Sequence, residues 1–148
     1  MAEGRKLYDF FISKIEILFR LLEEVDVYEH ERVPRIRAKL NEQLTRLDSI
    51  DFDAGRLEQE LIFYIEKLDV TEEKTRLRAH LHYFLETMGG SEDITGKGCG
   101  KKLGFIAQEM GREINTLGSK SNHAGMQQIV VRMKDELEQI KEQVLNVL

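Results

Sequence analysis

The polar side chains most able to do chemistry crowd into one stretch of this chain. Between Gly100 and Gly125, in GKKLGFIAQEMGREINTLGSKSNHAG, stand Gln108, Glu109, Arg112, Glu113, Asn115, Thr116, Ser119, Lys120 and Asn122. On a helix, Glu109 and Glu113 lie one turn apart, close enough to share a cation or a basic partner. The plainer alternative is an exposed Glu/Arg/Glu face with i,i+3 and i,i+4 pairing, because charged faces are usually just solvated. Two details weigh against it. Asn115, Thr116, Ser119, Ser121 and Asn122 favour caps and turns over helix interiors. Gly104, Gly111, Gly118 and Gly125 recur every seven residues, and a glycine inside a helix costs about 1 kcal/mol against alanine. That pattern predicts close backbone approach, to another helix before a ligand.

Other candidates are fewer. His80 and His82 are two apart and point to different sides of a helix, so they do not form the i,i+4 metal pair. His80 shares a face with Glu73 and Arg76, and it is the histidine placed for acid/base or metal work, since imidazole titrates near neutral pH. A histidine at the edge of the core is the competing explanation. His30 reads as exposed and structural. Arg32, Arg35, Arg37 and Lys39 make a basic run, a solvated face first and a nucleic-acid patch second. GKGCGKK, ending at Lys102, resembles a phosphate loop but lacks the Gly-x-x-x-x-Gly-Lys-Ser/Thr spacing, and no strand precedes it.

These residues need helices to position them. Leu103, Ile106, Met110, Ile114 and Leu117 recur at steps of three and four, one apolar stripe. Glu109, Glu113 and Thr116 then lie at its edge, with Gln108, Arg112, Asn115 and Ser119 opposite. Upstream, Leu7, Phe11, Ile15, Leu18, Leu22 and Val25 predict a first helix over about 3–26, its apolar face widened by Tyr8, Phe10 and Phe19. Pro34 predicts a kink or a restart. Ile36, Leu40, Leu44 and Leu47 carry the next helix, Asp48–Gly55 a polar loop, and Leu57, Leu61, Ile65 and Leu68 a third helix. Asp69 and Glu72 fit a capping box for a fourth over about 71–88. Gly89–Gly100 reads as a loop. A last helix starts near Ser121 or Asn122, where Met126, Val130, Met133, Leu137, Ile140, Val144 and Val147 form a coiled-coil-like seam. The seam suits the first helix of the same chain or a second subunit.

The expected fold is all-α: an antiparallel helical bundle of five to six helices with long coiled-coil-like first and last members. The expected division is a long-helix region over 1–69 and a helical domain over 70–148, forming one continuous unit. The chain has 148 residues, 33% of them charged, with one proline and no tryptophan, which fits a single helical domain with its own core. A net charge of −5 argues against a basic footprint over the whole surface and leaves room for a local patch. The single Cys99 rules out an internal disulfide framework and fits a reducing, cytoplasmic setting. No apolar run approaches the ~20 residues of a membrane span, and no signal peptide is evident. Met1-Ala2-Glu3-Gly4 runs straight into a helix, as if the chain began inside a longer protein.

Three segments, LDVTEEKTRLRAHLHYF (68–84), GKKLGFIAQEMGREINTLGSKSN (100–122) and ELEQIKEQVLNVL (136–148), resemble the C-terminal half of the YicC-like family of bacterial, stress-associated endoribonucleases. The resemblance covers about residues 3–148 and is most specific in QEMGREINTLGSKSN. It implies RNA cleavage with a divalent metal, manganese or magnesium, by a homo-oligomer, a hexamer being one candidate, and an N-terminal domain beyond this chain. The residues it implies are His80, Glu109 and Glu113 as catalytic groups, with Glu73, Glu109 and Glu113 for metal. Arg76, Arg112, Asn115, Ser119, Lys120 and Asn122 are implied for RNA. Carboxylates suit hard cations, a metal would polarise a phosphoryl oxygen or activate water, and arginine meets phosphate bidentately. The chain departs from the family where Gly104 and His123 stand in place of a common aspartate and Gly111 in place of a common asparagine. The implied alternative is a module for oligomerisation and RNA positioning, with the catalytic groups in the absent half.

Overall fold

Apolar residues at helical spacing fold this chain into five helices, seen in a computed structural model that describes residues 2–46, 54–89, 98–121 and 123–148. They are α1 (Ala2–Arg46), α2 (Ala54–Lys67), α3 (Thr71–Met88), α4 (Gly100–Lys120) and α5 (Ala124–Val144). The described residues contain no strand. The expected loops at Asp48–Gly55 and Gly89–Gly100 fall mostly outside the described residues.

The first half of α1 packs with α3, α4 and α5 as a four-helix bundle, in the cyclic order α1, α3, α4, α5. Side-chain pairs fix every neighbour as antiparallel. Between α1 and α3, Lys74 reaches Asp26 at 2.7 Å, and Phe11 meets Phe84 edge-on at 5.5 Å. Between α1 and α5, Lys14 pairs with Glu136 at 2.9 Å and Arg132 with Glu24 at 3.4 Å. The core takes Phe11, Ile15, Leu18, Leu22 and Val25 from α1, Leu77, Leu81, Phe84 and Met88 from α3, and the predicted stripe of α4. The seam Met126, Val130, Met133, Leu137, Ile140, Val144 and Val147 is wholly buried in the same chain. It is spent on the internal core, so it does not supply a face for a second subunit. A strict 4-3 repeat records only that a stripe is covered, not by which chain.

The glycines spaced by seven are helix contacts. A Cβ on Gly104 would meet Val144, one on Gly111 Leu137 at 3.2 Å, and one on Gly118 Val130 at 3.1 Å. Each step of seven up α4 matches a step of seven down α5, and the missing side chains let the two backbones close.

The expected break at Pro34 does not occur, for α1 runs through it as one helix of 45 residues. At about 1.5 Å per residue it spans about 65 Å, twice the length of its partners. Proline removes one helical hydrogen bond, and Pro34 is exposed, where water can satisfy the freed carbonyl. Past the bundle, α2 folds back along α1. Arg32 donates to Glu29 at 2.8 Å and to the Ile65 carbonyl at 3.1 Å, and Arg37 pairs with Glu58 at 3.0 Å. Arg32 is therefore a buried link rather than part of a solvated face.

Candidate functional site

The α3–α4 contact carries charge beside its apolar core. On α3, Leu77, Leu81 and Phe84 face inward, which turns Glu73 and Arg76 toward the flank of α4. There Arg76 Nε donates to Glu113 Oε1 at 3.0 Å, and Lys120 Nζ donates to Glu73 Oε1 at 2.7 Å. A second Arg76 nitrogen lies 3.9 Å from Glu73, and a third 3.4 Å from Glu72. The carboxylates are the buried partners, with side-chain exposures of 3% for Glu73 and 8% for Glu113, against 51% for Arg76 and 32% for Lys120. Glu113 hydrogen-bonds to Arg76 and, with charges from Glu113, Glu72 and Glu73, holds the guanidinium more firmly protonated than usual.

Lys120 also donates to the Asp69 carbonyl at 3.1 Å, tying the end of α4 to the start of α3. Asp69 Oδ1 accepts from the Thr71 hydroxyl at 2.6 Å and the Thr71 N–H at 2.9 Å. Those two bonds, aided by the charges of Arg32 and Lys120 and opposed by slight burial, hold its carboxyl below the ordinary value. Asp69 thus caps through Thr71. The expected capping box does not close: the Asp69 N–H donates to the Glu66 carbonyl at 3.1 Å, and Glu72 pairs with Arg76.

Glu73, Arg76, Glu113 and Lys120, four of the residues singled out in sequence, therefore form one cluster. Glu109 does not join it and pairs along its own helix with Arg112 at 3.8 Å. His80 is half-buried on α3, one turn beyond Arg76, and makes no hydrogen bond or ion pair among the described residues. Arg112, Asn115 and Ser119 stand on the exposed face of α4. Thr116 and Ser119 donate their hydroxyls to the Arg112 and Thr116 carbonyls at 3.0 and 3.1 Å, a local bond that lets such residues sit inside a helix. Asn122 lies outside the described residues. His82 does point away from His80, its ring packing at a tilt against Phe19 with centroids 4.9 Å apart.

Among the described residues no three His, Cys, Asp or Glu side chains come together to hold a metal ion. Glu73 and Glu113 are already met by the chain's own cations, and Glu73 Oε2 is the one buried oxygen of the cluster without a hydrogen bond. Magnesium keeps several of its waters and takes one or two carboxylates, so Glu73 and Glu113 would hold such an ion only by exchanging their bonds to Lys120 and Arg76 for it. Gly104 and Gly111 look toward α5, away from Glu113. An aspartate or asparagine there would not reach the cluster.

A sequence family described as endoribonuclease YicC-like, C-terminal, matches residues 25–148, which takes in the cluster and all of α2 to α5. The chain belongs to the YicC-like family. Among similar proteins, the probable endoribonuclease YicC of Clostridioides difficile is 36% identical over 147 residues, 98% of this chain and 48% of that protein. The probable endoribonuclease YicC of Haemophilus influenzae is 33% identical over 148 residues, 97% of this chain and 48% of that protein. The chain spans about half the length of these curated relatives. No described helix of this YicC-like chain is long and apolar enough to cross a membrane.

Sequence reasoning missed two partnerships here. It placed Arg76 beside His80 and not beside Glu113, because a contact between helices leaves no spacing signal. It also expected Ser121 or Asn122 to start α5. His123 does so, its Nδ1 accepting from the Gly125 N–H at 2.9 Å.

Proposed function

We propose that this chain is the C-terminal half of an endoribonuclease that cuts RNA phosphodiester bonds, and that the α3–α4 cluster is where it handles the scissile region. The observation that carries the proposal is the cluster's layout inside a YicC-like chain. Buried carboxylates clamp two cations whose outer faces remain in solvent. The guanidinium commits Nε to Glu113 and has its other two nitrogens 3.4 and 3.9 Å from Glu72 and Glu73, and the N–H groups left over are its donors for a phosphate. His80, one turn along α3, is the group to carry a proton. Arg112, Asn115 and Ser119 on the exposed face of α4 are suited to backbone contacts, which position RNA without reading its sequence. The protein would act as a homo-oligomer in the cytoplasm. Manganese or magnesium stays in the proposal as a requirement of the whole enzyme. Glu109, tied only to Arg112 at 3.8 Å, is the carboxylate proposed to meet it, and the other ligands would come from outside this chain.

A second reading has its own support. Carboxylates neutralised by internal cations are also how a structural ion cluster is built. On that view the chain positions RNA and assembles the protein, and the chemistry lies in the other half of the relatives. Incubating the chain alone with a structured RNA, with and without manganese, separates the two. Cuts that vanish in Glu113→Gln support the first. Binding without cutting supports the second.

A further inference from the structure

A second place on the molecule gathers cations, Arg35 and Lys39, that form no ion pair among the described residues. The second half of α1 and the start of α5 enclose a cavity of about 160 Å³ lined by Arg32, Arg35, Ile36, Lys39 and His123. We propose that this pocket binds a phosphate group, held by the Arg35 guanidinium, the Lys39 ammonium and the Nε2–H of His123.

The hydrogen-bond roles of His123 lead to this. Its Nδ1 accepts the Gly125 N–H at 2.9 Å, the bond that caps α5. An imidazole nitrogen that accepts carries no proton, so Nε2 holds the ring's N–H. Yet Nε2 faces Arg35 Nη1, and arginine only donates. Two donors directed at each other do not satisfy one another, and an acceptor beside them satisfies both.

The ring is not free to turn away. It packs against Tyr28 at a tilt of 47°, with centroids 4.8 Å apart. Tyr28 comes that close because residue 125 is glycine, where a Cβ would lie 2.6 Å from the Tyr28 ring. The cap and the Tyr28 contact therefore hold Nε2–H toward the pocket, which His123 lines.

The surrounding charge has the matching sign. Arg35 and Lys39 form no ion pair among the described residues, whereas Arg32 is neutralised by Glu29. Two uncompensated cations and a neutral N–H donor, converging from two helices, are the donor set an oxyanion of phosphate size requires. Binding of phosphate rests on the pocket alone. Its assignment to an uncleaved backbone phosphate of bound RNA rests on the proposed ribonuclease function.

The test titrates the chain with sodium phosphate against sodium chloride of equal ionic strength, following the Gly125 amide and the His123 side chain by ¹⁵N NMR. Saturable shifts specific to phosphate are expected. Arg35→Ala should weaken the response at least about five-fold, since it removes the bidentate partner. His123→Asn keeps a cap acceptor but loses the Nε2 donor, and should weaken phosphate binding with the helical circular dichroism intact. Shifts no larger than those with chloride, or an unchanged response in Arg35→Ala, would overturn the proposal. A second arm measures binding of a non-cleavable RNA across a salt series. If Arg35→Ala lowers the slope of log K against log salt by about one unit, the occupant is an RNA phosphate, and if the slope holds, the occupant is free phosphate.

Discussion

Arg76 Nε sits 3.0 Å from Glu113 Oε1 and joins α3 to α4 across a sequence separation of 37 residues. The carboxylate is buried and the guanidinium is half in solvent, so the pair is a fixed cation presented outward. The proposed RNA-handling role starts from that asymmetry.

Lys120 and Glu73 give the clearest stability prediction. The carboxylate is 3% exposed and its ammonium lies 2.7 Å away. Lys120→Met keeps the length of the side chain and leaves buried Glu73 with only Arg76 at 3.9 Å, a loss expected to cost about 3 kcal/mol, the low end for a broken buried pair because Lys120 is a third exposed. Adding Glu73→Met should recover most of it. Urea unfolding of both single variants and the double variant measures the coupling, and purely additive effects would show that the pair is not interacting.

The glycine contacts predict an order. Gly104 faces Val144 at an ordinary 3.6 Å, so Gly104→Ala should stabilise by about 0.5–1 kcal/mol through helix propensity and a less flexible unfolded chain. Gly118 faces the stiff, branched Val130 at 3.1 Å, and there the same change should gain nothing. Gly125→Ala should destabilise by about 1–3 kcal/mol as the Tyr28 ring is forced aside. Thermal melts of the three variants test the sequence of effects.

Asp69 predicts a pH dependence. Its folded pKa lies below the ordinary 3.8, mainly through the two bonds from Thr71. The folded state thus binds the proton more weakly than the unfolded chain. The stabilisation is complete above about 3.8 and fades as pH falls through the lower folded value. Asp69→Ala should lose about 1 kcal/mol at pH 7, as cap removal does. Its deficit should shrink below pH 4, and a deficit constant from pH 7 to pH 3 would contradict this.

Much of the bundle was legible because α1, α3, α4 and α5 each announce one buried stripe. The α4 stripe from Leu103 to Leu117 and the α5 seam from Met126 to Val147 are buried as their spacing predicts. What spacing does not carry is the partner. The seam could serve this chain or another, and only the matched Gly111–Leu137 and Gly118–Val130 contacts assign it internally. Pro34 misled for a related reason, since its penalty depends on whether water reaches the freed carbonyl. In the candidate site, Glu73, Arg76, Glu113 and Lys120 were each legible by type. Their grouping was not, because it joins α3 to α4. Arg35 and His123 were harder still, being 88 positions apart and with histidine outside the usual helix caps.

The most direct measurement is cleavage of a structured RNA by this chain joined to the N-terminal half that its relatives carry, beside the same protein with Glu113→Gln, Glu109→Gln or His80→Ala. Circular dichroism and RNA binding are followed in parallel. The proposed function predicts folded Glu113→Gln and His80→Ala proteins that bind RNA and cut it at least about 100-fold more slowly, the scale on which a positioned proton carrier acts. Glu109→Gln, which alters the carboxylate proposed to meet the required cation, should also slow cleavage. Folded variants of Glu113 and His80 that cut at the unaltered rate would contradict the account and leave the α3–α4 cluster a structural clamp.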